Sequence, residues 1–209
     1  MAMLRRTLIK AAFGLSLAVS LLPSGVRAEG GDAGTFIEKL ADTAIATVAD
    51  KQLAENDRDA RFRQLFVSNF DLPTIGKFVL ARYWKAATPE QQQEFLKLFE
   101  DQVVLTWAKR FKDYSGEKLH VVASNKEDDH TWLVESQILR DKGPPVAVQW
   151  RLHDTPDGAF RITDIIVEGV SMAITQRQDF SATLQGTGGK IDALLSSMRT
   201  KVDQLKAAG

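Results

Sequence analysis

The 209-residue chain contains no cysteine. That excludes disulfide staples, thiolate metal sites and cysteine nucleophiles, so hydrophobic burial must hold the fold together. Histidine is almost as scarce. His120, His130 and His153 are scattered, and none falls in an H-E-x-x-H pattern or another metal-ligand spacing. No G-x-S-x-G turn and no phosphate-binding loop is present. Gly186-Thr187-Gly188-Gly189 lacks both the spacing and a preceding strand, and reads as a hinge. Nothing here assembles the convergent groups that a nucleophilic or metal-centred enzyme requires, and no cofactor or metal is expected.

Long apolar runs are missing beyond residue 22, and the one that exists is an address. Arg5, Arg6 and Lys10 precede the apolar stretch Ala11 to Leu22, and Val26-Arg27-Ala28 follows as a small-residue cleavage site. Residues 1–28 are therefore expected to be a cleaved signal peptide. The apolar run is well short of the ~20 residues a bilayer span needs. Arg5-Arg6-Thr7-Leu8-Ile9-Lys10 fits a twin-arginine signal, and an ordinary secretory signal with adjacent arginines fits as well. A surplus of either charge is also lacking, with 27 basic and 27 acidic residues. The signal holds four of the basic residues and none of the acidic ones, so the exported chain carries 23 against 27, a net −4. A mildly acidic protein does not condense on phosphate backbones, which argues against nucleic-acid binding. It argues equally against a standing electrostatic dock on anionic lipid.

Periodicity organises the remainder. Residues 29–34 are Gly-rich and expected to be disordered, and 35–209 to form one domain. Thr35 and Glu38 suggest a capping box for a helix to Gln52, and a second helix covers about Arg58 to Asn69. Asp71 caps a third, with Pro73 in its first turn. Thr88-Pro89-Glu90-Gln91 opens a long fourth helix to about Tyr114. The pattern then changes to strands at Leu119–Ser124, Thr131–Leu139, Val146–His153 and Phe160–Val167, joined by turn-like segments. Two further helices, Ser171–Leu184 and Lys190–Lys206, close the chain. Short links between successive strands favour an antiparallel meander. The layout is α+β, with helices on one face of a four-stranded sheet. Alternation places Leu119, Val121 and Ala123; Trp132, Val134 and Ile138; Val146, Val148, Trp150 and Leu152; and Ile162 and Ile166 on the apolar face. A solid core accounts for such a face, and composition alone does not predict a cavity.

Two stretches carry a resemblance. Val79-Leu80-Ala81-Arg82-Tyr83-Trp84-Lys85-Ala86-Ala87-Thr88-Pro89-Glu90-Gln91 and Asp164-Ile165-Ile166-Val167-Glu168-Gly169-Val170-Ser171-Met172, in this order and spacing, resemble the MlaC family, also called the toluene-tolerance auxiliary family. The likeness runs from about Phe36 to about Leu205. It implies a curved, NTF2- or cystatin-like sheet with helices enclosing an apolar pocket. It implies a periplasmic phospholipid carrier, monomeric and not membrane-embedded. Its implied partners are an inner-membrane ABC lipid-transfer complex and an outer-membrane lipoprotein complex. On this resemblance the tail-lining residues are Val146, Val148 and Trp150, then Val170, then Phe78, Val79 and Tyr83 on the third helix and Val103 on the fourth. Val121, Val134 and Ile166 join them from the apolar strand face. The Pro144-Pro145-Val146 to Gln149-Trp150-Arg151 segment is about two residues shorter than the family's equivalent strand, which leaves its first position open. Gly169 is expected to supply a sharp turn and Ser171 a helix cap.

Three alternatives stay open. The pocket can carry a hopanoid-type polycyclic lipid instead. A small pocket-bearing α+β enzyme can use Asp164 or His153 as its base, against the plainer reading of each as a hydrogen-bonded structural group. A pocketless interaction module is the last.

Overall fold

Three of the helices start where a side chain satisfies a free amide of the first turn. In this computed structural model, which describes residues 33–50, 52, 54–111, 114 and 116–207, the Asp71 carboxylate accepts from the Thr74 N–H at 3.0 Å and opens α3 (Leu72–Leu80). Thr88 and Gln91 bond reciprocally, side chain to backbone, and open α4 (Pro89–Phe111). Ser171 Oγ accepts from the Ile174 N–H at 3.0 Å and opens α5 (Met172–Gly186). Helices α1 (Ala33–Ala49), α2 (Glu55–Asn69) and α6 (Ile191–Ala207) complete the set, with a 3₁₀ turn at Ala81–Lys85 between α3 and α4.

Two expectations at the N-terminus change. Ala33 is fully buried and Gly34 is helical, so the last two residues of the segment expected to be disordered belong to α1. Thr35 therefore sits inside the first turn, not at its cap. The expected signal peptide lies outside the described residues.

The sheet has five antiparallel strands, in the order β1 (Lys118–Lys126), β2 (Thr131–Leu139), β3 (Val146–Asp154), β4 (Phe160–Val167) and β5 (Val170–Ser171). The four-strand expectation missed β5. Its cause is local: Glu168 and Gly169 both take positive φ, 49° and 80°. That is the geometry of a two-residue hairpin turn, so the chain doubles back before α5 begins.

Two bulges decide which side chains face inward. In β1 the register slips between Val121 and Ala123, leaving Val122 unpaired and exposed. Ala123 then sits opposite Glu135 on the outer face, and Ser124 opposite Val134 on the inner one. In β4 Leu152 pairs with Ile162 and Arg151 with Asp164, which makes Thr163 the extra residue. Beyond it Ile165 pairs with Trp150 and Val167 with Val148. The apolar face of β4 is thus Ile162, Ile165 and Val167. Ile166, expected on that face, pairs with Gln149 on the other.

The interior is divided. A helical core runs through α2 to α6, with Phe95 and Phe99 stacked and Phe180 edge-on to both. A smaller sheet core gathers Ala33 and Ile37 of α1 with Val134, Leu152, Phe160 and Ile162. The seam between them is narrow. Phe70 bridges Ile162, the Asp71 N–H donates to the Ile162 carbonyl at 2.9 Å, and His153 Nε2 meets Asp71 Oδ2 at 2.9 Å. On the outer face of β4, buried Asp164 accepts from Ser171 Oγ at 2.5 Å and from the Ala173 N–H at 3.0 Å, which ties down the start of α5.

Candidate functional site

Where the two cores fail to meet, an apolar cavity of about 420 Å³ opens. Its size falls in the range of small-molecule pockets, ~300–1,000 Å³. One wall is sheet: Leu119, Ile138, Val148, Trp150, Ile165 and Val167. The opposite wall is α2 and α4, through Phe62, Leu65, Phe66 and Trp107, with Phe70 just beyond α2. Helix α1 lies across the space. Ile37, Leu40, Ala41, Ala44 and Ile45 recur every three or four residues and turn one stripe to the cavity. Two of the five are alanines, which leaves room where larger side chains would fill it.

The two ends of the cavity differ. Toward the end of β3 the sheet core of Leu152, Ile162 and Phe160 follows the apolar wall. Toward the start of β1 and β3 and the end of β2, its lining turns polar: Tyr114, Glu117, Lys118 and Arg140. The Tyr114 hydroxyl donates to the Glu117 carbonyl at 2.8 Å. All charged groups of the lining sit at this end.

One polar residue serves the apolar wall without opening it. Ser136 is buried on the inner face of β2, opposite Val148. Its Oγ donates to the Val148 carbonyl and accepts from the Trp150 indole N–H, both at 2.9 Å. The indole is thereby fixed and its N–H satisfied, so its ring faces hydrocarbon-like space at no polar cost.

Of the expected tail-lining residues, Val148 and Trp150 stand on the cavity wall. The others do not. Val146 lies at the rim of β3, half-buried and off the wall. Val170 is 53% exposed, because the Glu168–Gly169 hairpin carries it to the sheet edge. Phe78 is 41% exposed on α3, under the Arg177 guanidinium. Val79 is fully buried, but in the helical core, and Tyr83 and Val103 pack against that core as well. Val134 is fully buried in the sheet core, with Val121 packed on it. Ile166 faces away, displaced by the β4 bulge. The walls from α1 and α2, and Ile165 and Val167, were not anticipated as site residues. The α1 stripe was visible in the periodicity, but a stripe signals burial without saying what lies opposite.

Neither candidate base stands in the cavity. Asp164 is on the outer face of the sheet, with Ser171 and Ala173 as its partners. His153 belongs to the seam with Asp71. Partial burial alone would raise the Asp71 pKa. Hydrogen bonds from the backbone and side chain of Thr74, and then from His153, outweigh it and hold the carboxyl below its ordinary range. No group of three or more potential metal ligands occurs among the described residues. No described helix is long and apolar enough to cross a membrane.

The comparisons with known proteins agree with this architecture. The intermembrane phospholipid transport system binding protein MlaC of Haemophilus influenzae is 23% identical over 178 residues, 81% of this chain and 81% of that protein. The toluene tolerance protein ttg2D of Pseudomonas putida is 23% identical over 139 residues, 66% of this chain and 64% of its own length. The phospholipid-binding protein from Ralstonia solanacearum, solved in complex with a phospholipid, superposes with a TM-score of 0.73 at 23% identity. It covers 84% of this chain and 99% of its own, and the likeness shows a common fold. The family described as MlaC protein matches residues 38–200, most of the chain, and the chain belongs to that family.

Proposed function

We propose that the chain is a soluble periplasmic carrier that buries the acyl tails of a phospholipid in the cavity between sheet and helices and moves it between an inner-membrane ABC lipid-transfer complex and an outer-membrane lipoprotein complex. It is not an enzyme. The observation that carries this reading is the hollow itself: an apolar wall, charge confined to one end, in a member of a family whose relatives are named for phospholipid transport. Two tails of ~28 methylenes cost on the order of 20 kcal/mol to expose to water, at ~0.8 kcal/mol per CH₂. A carrier offsets that by burial alone, and the headgroup stays at the wet end, where its phosphate keeps partners.

Protein purified from its own periplasm, extracted with organic solvent and examined by mass spectrometry, tests the reading. Phospholipid in stoichiometric amount supports it. A hopanoid in its place changes the cargo, and protein free of lipid overturns it.

A further inference from the structure

The polar end of the cavity is uneven. Lys118 and Arg140 stand at the start of β1 and just past the end of β2, with Glu117 the one carboxylate of the lining. Strand register places Arg140 toward the cavity and turns Lys118 to the other face. Leu119 pairs with Ile138 on the cavity wall, and Lys118 pairs with Leu139. Continuing the alternation, Arg140 lies on the cavity side of the sheet and at its rim. The Arg140 side chain is held there. Its Nε and Nη2 both donate to the Pro144 carbonyl, at 3.2 and 2.7 Å. One edge of the guanidinium is thereby spent on the β2–β3 loop, and the Nη1–Nη2 edge remains. Among the described residues neither Arg140 nor Lys118 forms a salt bridge, whereas Arg63, Arg151 and Arg199 all do. Glu117 is itself engaged in another interaction.

A guanidinium fixed along one edge, with its other edge free at the mouth of an apolar cavity, matches a tetrahedral oxyanion attached to hydrocarbon. We infer that Arg140 receives the phosphate ester of the bound lipid and makes the cavity selective for anionic phosphate headgroups over neutral ones with the same tails. The inference rests on the carrier reading and adds a residue that sets specificity. Loss of Arg140 removes selectivity and leaves tail burial intact, because the guanidinium touches the rim and not the apolar wall.

The test uses delipidated full-length exported chain and three probes: dioleoyl phosphatidylglycerol, dioleoylglycerol and inorganic phosphate. Wild type is expected to bind phosphatidylglycerol about tenfold more tightly than dioleoylglycerol, the discrimination of one charge-assisted contact at an exposed rim. Arg140→Gln should bring the two lipids close to parity while dioleoylglycerol affinity holds. Arg140→Lys should restore only part of the preference, since a point charge cannot supply the two-pronged contact. Equal binding of the two lipids by wild type, with both bound, overturns the inference and leaves the carrier intact. Binding of neither lipid sinks both. Inorganic phosphate that binds Arg140 as tightly as the lipid overturns the inference in favour of a free-phosphate site.

Discussion

Filling the cavity from one wall should separate lipid binding from folding. Val148 is 3% exposed and lies on the sheet wall, with Trp150 two residues along on the same face. In Val148→Trp the added ring has nowhere to go but the hollow. It takes the place of roughly three methylenes of cargo, which at ~0.8 kcal/mol each removes about 2.5 kcal/mol of tail burial, or roughly 70-fold in affinity. The unfolding free energy of the lipid-free protein should move little. The ring buries new apolar area, and any rotamer strain works the other way at ~1–3 kcal/mol. Ala44→Phe approaches from the opposite side, on α1, and should act in the same direction without disturbing the sheet. Val170→Glu is the control, because an exposed hairpin residue can take a charge. The assays are co-purified lipid by mass spectrometry and urea unfolding with and without added phospholipid. Both wall variants should lose lipid and the lipid-dependent gain in stability. If both keep stoichiometric lipid, or if Val170→Glu loses it, the cavity has been assigned to the wrong place.

Other perturbations reach the scaffold. Asp164→Ala strands the buried Ala173 N–H and removes two charge-assisted bonds, and should cost about 3–5 kcal/mol in urea unfolding; Asp164→Asn should cost less, and a neutral result for the alanine would show that Asp164 does not hold the start of α5. Because the Asp71 carboxyl is held below its ordinary value, the stability it contributes is present above the unfolded carboxylate pKa and is lost as pH falls through the lower folded value. Urea midpoints measured between pH 6 and pH 3 should therefore fall less steeply in Asp71→Asn than in wild type. Ala81 takes φ 52° and ψ −128°, a conformation that glycine adopts without its Cβ clash, so Ala81→Gly should raise stability by about 1 kcal/mol. Gly76→Val should lower it by ~1–3 kcal/mol in the same assay, since a Cβ there meets Leu96 Cδ2 at 2.3 Å and closes the α3–α4 crossing.

Period and punctuation carried most of the fold. Asp71, Thr88 and Ser171 each cap the helix their spacing indicates, and the four long strands begin within one residue of where β-branched alternation places them. The site was less legible because sidedness is a cumulative property. One unpaired residue, Thr163, inverts everything after it in β4, so Ile166 looks inward in the sequence and outward in space. No side-chain signal marks such a bulge. The Glu168–Gly169 turn misled similarly: the glycine shows that φ is positive, but nothing about Glu168 announces that it is positive as well. For α3 the expected stripe divides: Phe78 is exposed and Tyr83 lies past the helix in the 3₁₀ turn. Val79 is buried, yet against other helices, because a hydrophobic face does not name its partner.

The hydrogen bonds of Ser136 have a bearing on fidelity. A tryptophan left to rotate would present its N–H to the greasy side in some fraction of molecules, and each such molecule would recruit water or a polar guest. By occupying both the indole and the neighbouring strand carbonyl, a single small hydroxyl keeps that surface uniformly oily across the whole population. A hydrocarbon guest on that wall would then meet the same surface in every molecule.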